Sequence, residues 1–215
     1  IYVQFDEFDE ALKYYEEALT IRRLVLGADS LDYAATAFNA GQSFQQKGEL
    51  DRALELYHEF LRVAMLKFGH SHRDVAVVLG SIAQIYQEKS DYDKALELYE
   101  ASLCAGRAAL GEDHSEVAML LNRMGNFHFE QNRLGDAYHC YARGLRIERR
   151  VLPPDHPNIV VTLSNLGEIH RQRNEWDGAA KMYGDCLDIL RKKYKDVEHI
   201  DVASTLTTLG LIMDQ

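Results

Sequence analysis

The apolar residues of this chain follow two periods, one nested in the other. Within short windows they recur at i, i+3 and i+4, as in Leu79, Ile82, Ala83 and Tyr86, and again in Ala95, Leu98, Tyr99 and Leu103. That spacing places them on one face of an amphipathic helix. Over longer windows the pattern returns every 42 residues: alanines stand at 11, 53, 95, 137 and 179, tyrosines at 15, 57, 99, 141 and 183, and leucines at 19, 61, 103, 145 and 187. With 12 tyrosines in 215 residues, four further tyrosines fall in one register by chance with a probability on the order of 10^-5. An apolar residue at 8, 50, 92, 134 and 176 is followed by Asp9, Asp51, Asp93, Gly135 and Asp177. A helix of about 17 residues, helix B, is predicted to start at each, with the aspartate accepting backbone N–H groups and facing the positive helix end.

A second helical face, helix A, precedes each helix B. It carries Leu79, Ile82, Ala83 and Tyr86, then Leu121, Met124, Gly125 and His128, then Leu163, Leu166, Gly167 and His170. The small residue at 41, 83, 125 and 167 permits a neighbouring helix to approach closely. Gly48, Ser90, Asn132 and Asn174 occupy the A-to-B turn, where residues that tolerate a left-handed backbone end helices. In the B-to-A connections Pro157 suits a first helical position, and Asp32, Asp74, Glu116 and Asp201 place negative charge in the first turn. The last connection, KYKDVEHID, is one residue longer. Read together, the pattern predicts an all-α chain of about ten antiparallel helices forming a single repeat domain over 1–215. The terminal helices are expected to be truncated, with Ile1 to Phe5 as the last turn of a helix A and Val202 to Gln215 as part of another. Such ends would expose apolar surface and invite end-to-end self-association.

The small residue of helix A, with the close-packed Ala, Tyr and Leu of helix B, resembles the tetratricopeptide repeat. The 42-residue period, with LGEDHSEVA at Leu110 to Ala118 and LSNLG at Leu163 to Gly167, resembles its long-helix-B subclass, typified by kinesin light chain. The resemblance implies a right-handed α-α superhelix and a role as a protein-protein interaction scaffold or adaptor. Two departures stand out: Ala37, Leu79, Leu121 and Leu163 replace the family's helix A tryptophan, and Phe60 stands where Ala18, Ser102, Gly144 and Cys186 stand elsewhere.

Composition narrows the chemistry further. A net charge of -10, from 24 basic and 34 acidic residues, weighs against a nucleic-acid partner. No stretch reaches the roughly 18 apolar residues of a membrane span, so no membrane contact is expected. Cys104, Cys140 and Cys186 form no CxxC pair, which fits a reducing, intracellular and cytoplasmic setting. The chain opens on Ile1 without a signal-like segment, as expected of a piece of a longer protein, and that leaves an organelle open. His72, His114, His156 and His199 share one repeat position, while His128 and His170 share the core position of Phe44 and Tyr86. Equivalent repeat positions do not converge, so no metal site, cofactor or catalytic cluster is expected.

Function therefore falls to the surface. The residues of helix A outside its core are Phe38, Asn39, Gln42, Gln45 and Gln46; Gly80, Ser81, Gln84, Gln87 and Glu88; Asn122, Arg123, Asn126, Phe129 and Glu130; and Ser164, Asn165, Glu168, Arg171 and Gln172. By resemblance, successive A helices line the concave wall of the solenoid. The expected peptide-binding groove is Asn39, Gln42, Gln46, Gln84, Gln87, Asn122, Arg123, Asn126, Asn165, Glu168 and Arg171. Amides that both donate and accept suit an extended peptide backbone. A carboxylate clamp of the family's kind is not expected, because its lysine positions hold Phe38, Gly80, Asn122 and Ser164. The basic ends of two B helices, Arg143 to Arg150 and Arg191 to Lys195, either offset the helix dipole or form a second surface for an acidic segment or lipid headgroup. Narrower versions of the same role are a kinesin-light-chain-like cargo adaptor and an intramolecular regulator within a larger chain.

Overall fold

The computed structural model describes residues 2–195 and 199–215 and is all-helical there, without a strand among the described residues. In chain order the helices are α1 (Tyr2–Leu26), α2 (Leu31–Lys47), α3 (Leu50–Phe68), α4 (Arg73–Glu88) and α5 (Tyr92–Leu110). They continue as α6 (Ser115–Glu130), α7 (Leu134–Val151), α8 (Pro157–Gln172), α9 (Trp176–Tyr194) and α10 (Ile200–Met213). They fall into two compact units, Ile1–Leu110 with α1 to α5 and Gly111–Gln215 with α6 to α10. In the first unit α2 pairs with α3 and α4 with α5; in the second α6 pairs with α7 and α8 with α9.

Each pair is an A helix followed by a B helix, and the turn between them is made as the sequence predicts. Gly48, Ser90, Asn132 and Asn174 all have positive φ, at 86°, 62°, 55° and 57°. Within each pair the alanine and tyrosine rows of helix B pack inward: Ala53, Ala95, Ala137 and Ala179 are fully buried, and Tyr57, Tyr99 and Tyr141 are buried behind them. The small residue of helix A makes room for the ring. A Cβ on Gly41 would lie 2.8 Å from the Tyr57 ring, one on Gly125 2.7 Å from Tyr141, and one on Gly167 2.8 Å from Tyr183.

Two expectations need correction. First, α1 runs unbroken from Tyr2 to Leu26, so residues 2–5 begin this helix instead of ending a helix A, and no turn precedes Phe8. The side chain of Phe8 lies outside the described residues, as do residues 196–198 of the longer connection. Second, the aspartates expected to cap the B helices, Asp51, Asp93 and Asp177, lie inside the first turn, and at α5 it is Asp91 that caps, its Oδ1 accepting the Lys94 N–H at 3.3 Å. At α3 and α9 the N-cap residues are Glu49 and Glu175, neither of which makes a side-chain cap. Two positions past the N-cap, these aspartates supply only their charge to the dipole. The repeated histidines cap α4, α6, α8 and α10: Nδ1 of His72, His114, His156 and His199 accepts the backbone N–H of Asp74, Glu116, Asn158 and Asp201, each at 3.2 Å. Neutral imidazole carries one acceptor nitrogen, and here it satisfies an orphan donor of the first turn.

Candidate functional site

The A-helix faces carry a polar network that begins inside the core. In the first unit Tyr57 donates its hydroxyl to Gln45 Oε1 at 3.0 Å, and Tyr99 does the same to Gln87 Oε1 at 2.8 Å. Gln45 Nε2 then donates to Glu88 Oε1 at 2.9 Å, and Gln84 Nε2 to the same oxygen at 3.3 Å. In the second unit Phe129 occupies the repeat position of Gln45 and Gln87. Asn126, nearly one turn earlier, takes the tyrosine instead, with Tyr141 donating to its Oδ1 at 2.6 Å. Asn165 Nδ2 reaches the same oxygen at 3.5 Å.

At α8 the network is ionic. Arg171 forks onto Glu168 through Nε and Nη2, both at 2.7 Å, and Gln172 Nε2 adds a bond to Glu168 at 3.1 Å. The hydrogen bond from Arg171 holds the Glu168 carboxyl below the usual carboxylate range, against the opposing effect of partial burial. Both residues line an open depression with Trp176, Tyr183, Leu211 and Ile212.

The expected groove residues thus divide by exposure and by occupation. Asn39, Gln42, Gln46, Gln84, Asn126 and Arg171 are exposed, while Gln87, Arg123, Asn165 and Glu168 are half-buried. Asn122 turns its amide into the core, donating from Nδ2 to Glu148 Oε1 at 2.9 Å and to Thr162 Oγ1 at 2.8 Å. Glu148 is fully buried, and burial pushes its carboxyl up. Of the wider lining series, Gly80 and Ser81 are buried. Phe38 packs on Tyr57 and Phe60, with ring centroids 5.4 and 5.1 Å apart. Phe38 and Phe60 therefore fill together a space that smaller residues share in other repeats, which accounts for the departure at Phe60.

Sequence reasoning treated the tyrosines as apolar core and so missed their hydroxyls. The signal was there in the fixed spacing from Gln45 to Tyr57 and from Gln87 to Tyr99. The basic end of α7 is largely paired: Arg143 binds Glu112 at 2.7 Å, Arg149 binds Asp185 at 2.9 Å and Arg150 binds Asp113 at 2.9 Å. Arg191, Lys192 and Lys193 occupy the last turn of α9. Among the described residues no group of three or more His, Cys, Asp or Glu is arranged to hold a metal ion, and no helix is long and apolar enough to cross a membrane.

This architecture defines a helical repeat protein built from stacked A/B hairpins. The tetratricopeptide repeat family model matches residues 1–65, 41–105, 74–125 and 116–192, and the chain belongs to that family. Among curated proteins none matches significantly. Among solved structures the chain is similar to BtubC (BKLC) from P. vanneervenii, with a TM-score of 0.77 at 20% identity over 91% of this chain and 78% of that one. It is also similar to the nearly identical TPR-like repeats of a Podosopora anserina putative kinesin light chain (TM-score 0.71, 17% identity, 89% of this chain and 91% of that one). The apo form of RapI gives a TM-score of 0.74 at 16% identity over 90% of this chain and 68% of that one. At these identities the likeness is one of fold.

Proposed function

We propose that this chain is a non-catalytic interaction scaffold whose A-helix faces hold an extended peptide segment of a protein partner. One observation carries the reading: amides on these faces are oriented from beneath by buried tyrosine hydroxyls. With Oε1 of Gln87 or Oδ1 of Asn126 fixed by a tyrosine, the NH2 end of the same amide has a set direction. A receptor ordered in advance loses little entropy on binding, so the ordering cost falls on the peptide. Arg123 and the Arg171–Glu168 pair add charge that selects among segments, Arg171 by exchanging its internal carboxylate for one on the ligand. Affinity for one short segment is expected in the micromolar range, about 8 kcal/mol.

The test is affinity capture from extract by the parent chain and by Arg123→Ala/Asn126→Ala, with partners identified by mass spectrometry and their segments re-measured as synthetic peptides by calorimetry. Segments bound by the parent and lost by the variant, while circular dichroism shows the variant still folded at the binding temperature despite the lost Tyr141 bond, support the reading. Equal binding by both moves the site off this face. A kinesin-light-chain-like cargo adaptor and an intramolecular regulator would use the same face; the three free thiols accord with a cytoplasmic scaffold.

A further inference from the structure

Four A helices begin on a histidine cap, and one of the four lacks what stands behind the cap in the others. His72, His114, His156 and His199 each use Nδ1 as the acceptor for a first-turn N–H. An imidazole that takes up a proton carries a hydrogen on both nitrogens and accepts nothing. It also sets a positive charge against the positive end of the helix dipole. Each cap therefore exists only while its histidine is neutral, and imidazole gains its proton between about pH 8 and 5.

What replaces a lost cap differs from helix to helix. Asp74 Oδ2 lies 3.8 Å from His72 Nδ1, and Asp201 Oδ2 3.4 Å from His199 Nδ1. A proton on either nitrogen trades a hydrogen bond for an ion pair, with the carboxylate still in the first turn of α4 or α10. In α6 Glu116 puts a carboxylate in the same turn. In α8 that place belongs to Asn158, and the first turn has no acidic residue. The other charged groups around His156 do not fill the gap. Glu148 of α7 is within electrostatic reach of it, but is fully buried, and burial favours its neutral form. Arg149 of α7 is held by Asp185 of α9 at 2.9 Å. Asp185 and Asp188 line the depression beside Pro154 and Ile159, and Asp188 and the adjoining Asp155 are exposed. These outer carboxylates favour a charged imidazole from outside the helix and offer the Asn158 N–H no new acceptor.

We infer that His156 is an acid-sensitive switch: uptake of one proton by its imidazole uncaps α8 and frays its first turn, residues 157–160, under conditions in which the first turns of α4 and α6 hold. The release reaches the core of the second unit through the bonds that start there. Thr162 donates to the Asn158 carbonyl at 3.0 Å and accepts from Asn122 Nδ2 at 2.8 Å, and the same nitrogen donates to Glu148. Fraying at Asn158 therefore loosens the support of a buried carboxyl group. The inference does not depend on the peptide-binding reading, because Asn165, Glu168 and Arg171 lie beyond the first turn of α8.

The test is amide hydrogen exchange of the 215-residue chain at about pH 7.5 and about pH 5.5, corrected for the intrinsic pH dependence of exchange, beside His156→Asn and Asn158→Asp. The first variant keeps an acceptor at the cap that does not titrate, and the second installs the missing carboxylate. Circular dichroism of both at the higher pH should match the parent. On acidification, protection over residues 158–162 of the parent should fall about fivefold further than over 74–78 or 116–120, the loss expected of one cap. In both variants that excess should vanish. Protection over 158–162 that holds in acid overturns the inference, as does a loss shared equally by the three helices or a loss as large in His156→Asn. So does an Asn158→Asp chain that remains as acid-labile as the parent.

Discussion

Asn122 Oδ1 lies against the backbone of Gly144, so close that a Cβ on the glycine would fall 2.5 Å from it. The same pair of repeat positions holds Phe38 with Phe60, ring centroids 5.1 Å apart, and Ser164 with Cys186, Oγ to Sγ 3.4 Å. Each pair fills one space between an A and a B helix, and beside Asn122 that space leaves no room for a side chain at 144. Gly144→Ala should therefore destabilise the chain by about 1–3 kcal/mol through overpacking. Gly184→Ala, in α9 with nothing within 4 Å, should stabilise by up to about 1 kcal/mol through helix propensity. Urea denaturation midpoints of the two variants should move in opposite directions.

Tyr99 is buried between α4 and α5 and donates to Gln87. Tyr99→Ala empties that space and should cost about 3–5 kcal/mol. Tyr99→Phe keeps the ring and should cost only about 0.5–1.5 kcal/mol for the lost hydrogen bond. Equilibrium unfolding separates the two, and a loss below about 1 kcal/mol for the alanine variant would contradict the burial described.

Glu148 offers a pH test. Burial raises its carboxyl, and the hydrogen bonds from Asn122 and Thr162 only partly counter that. A carboxyl whose pKa is higher in the folded than in the unfolded state favours folding while protonated in both. That contribution is lost as pH rises through the folded value. Glu148→Gln removes the ionisation, so its stability relative to the parent should increase as pH rises above the ordinary glutamate range. Thermal melts of both proteins across that range would show it, and a gap independent of pH would refute it.

The histidine caps predict a local effect. His114→Ala should cost about 1 kcal/mol, whereas His114→Asn, which keeps an acceptor at the cap of α6, should cost a few tenths. Amide exchange at Glu116, the donor to His114 Nδ1, should quicken in the alanine variant more than at Leu121 in the middle of the helix.

Much of this was legible along the chain because repetition multiplies weak signals. The Ala, Tyr and Leu rows, the small residue facing Tyr141 or Tyr183, and the left-handed turns at Ser90 and Asn132 each follow from periodic burial or local backbone sterics, and they recur in the same register. The candidate face was legible only as a set of positions. Asn122 and Asn126 share a helix and a residue type, yet one points its amide at buried Glu148 and the other rests on Tyr141 at the surface. Nothing in their spacing separates them.

The sequence by itself determined the helices, their pairing and the small residue that lets each pair approach closely, because those depend on chain-local propensity and on which face must leave water. Only the tertiary structure decided that histidines cap α4, α6, α8 and α10, that Asp51 and Asp177 do not cap their B helices, that α1 runs without a break, and which amides the tyrosines orient. Those outcomes rest on competition among neighbouring side chains for one donor or one volume, and that competition exists only once helices distant in sequence have come within reach of each other.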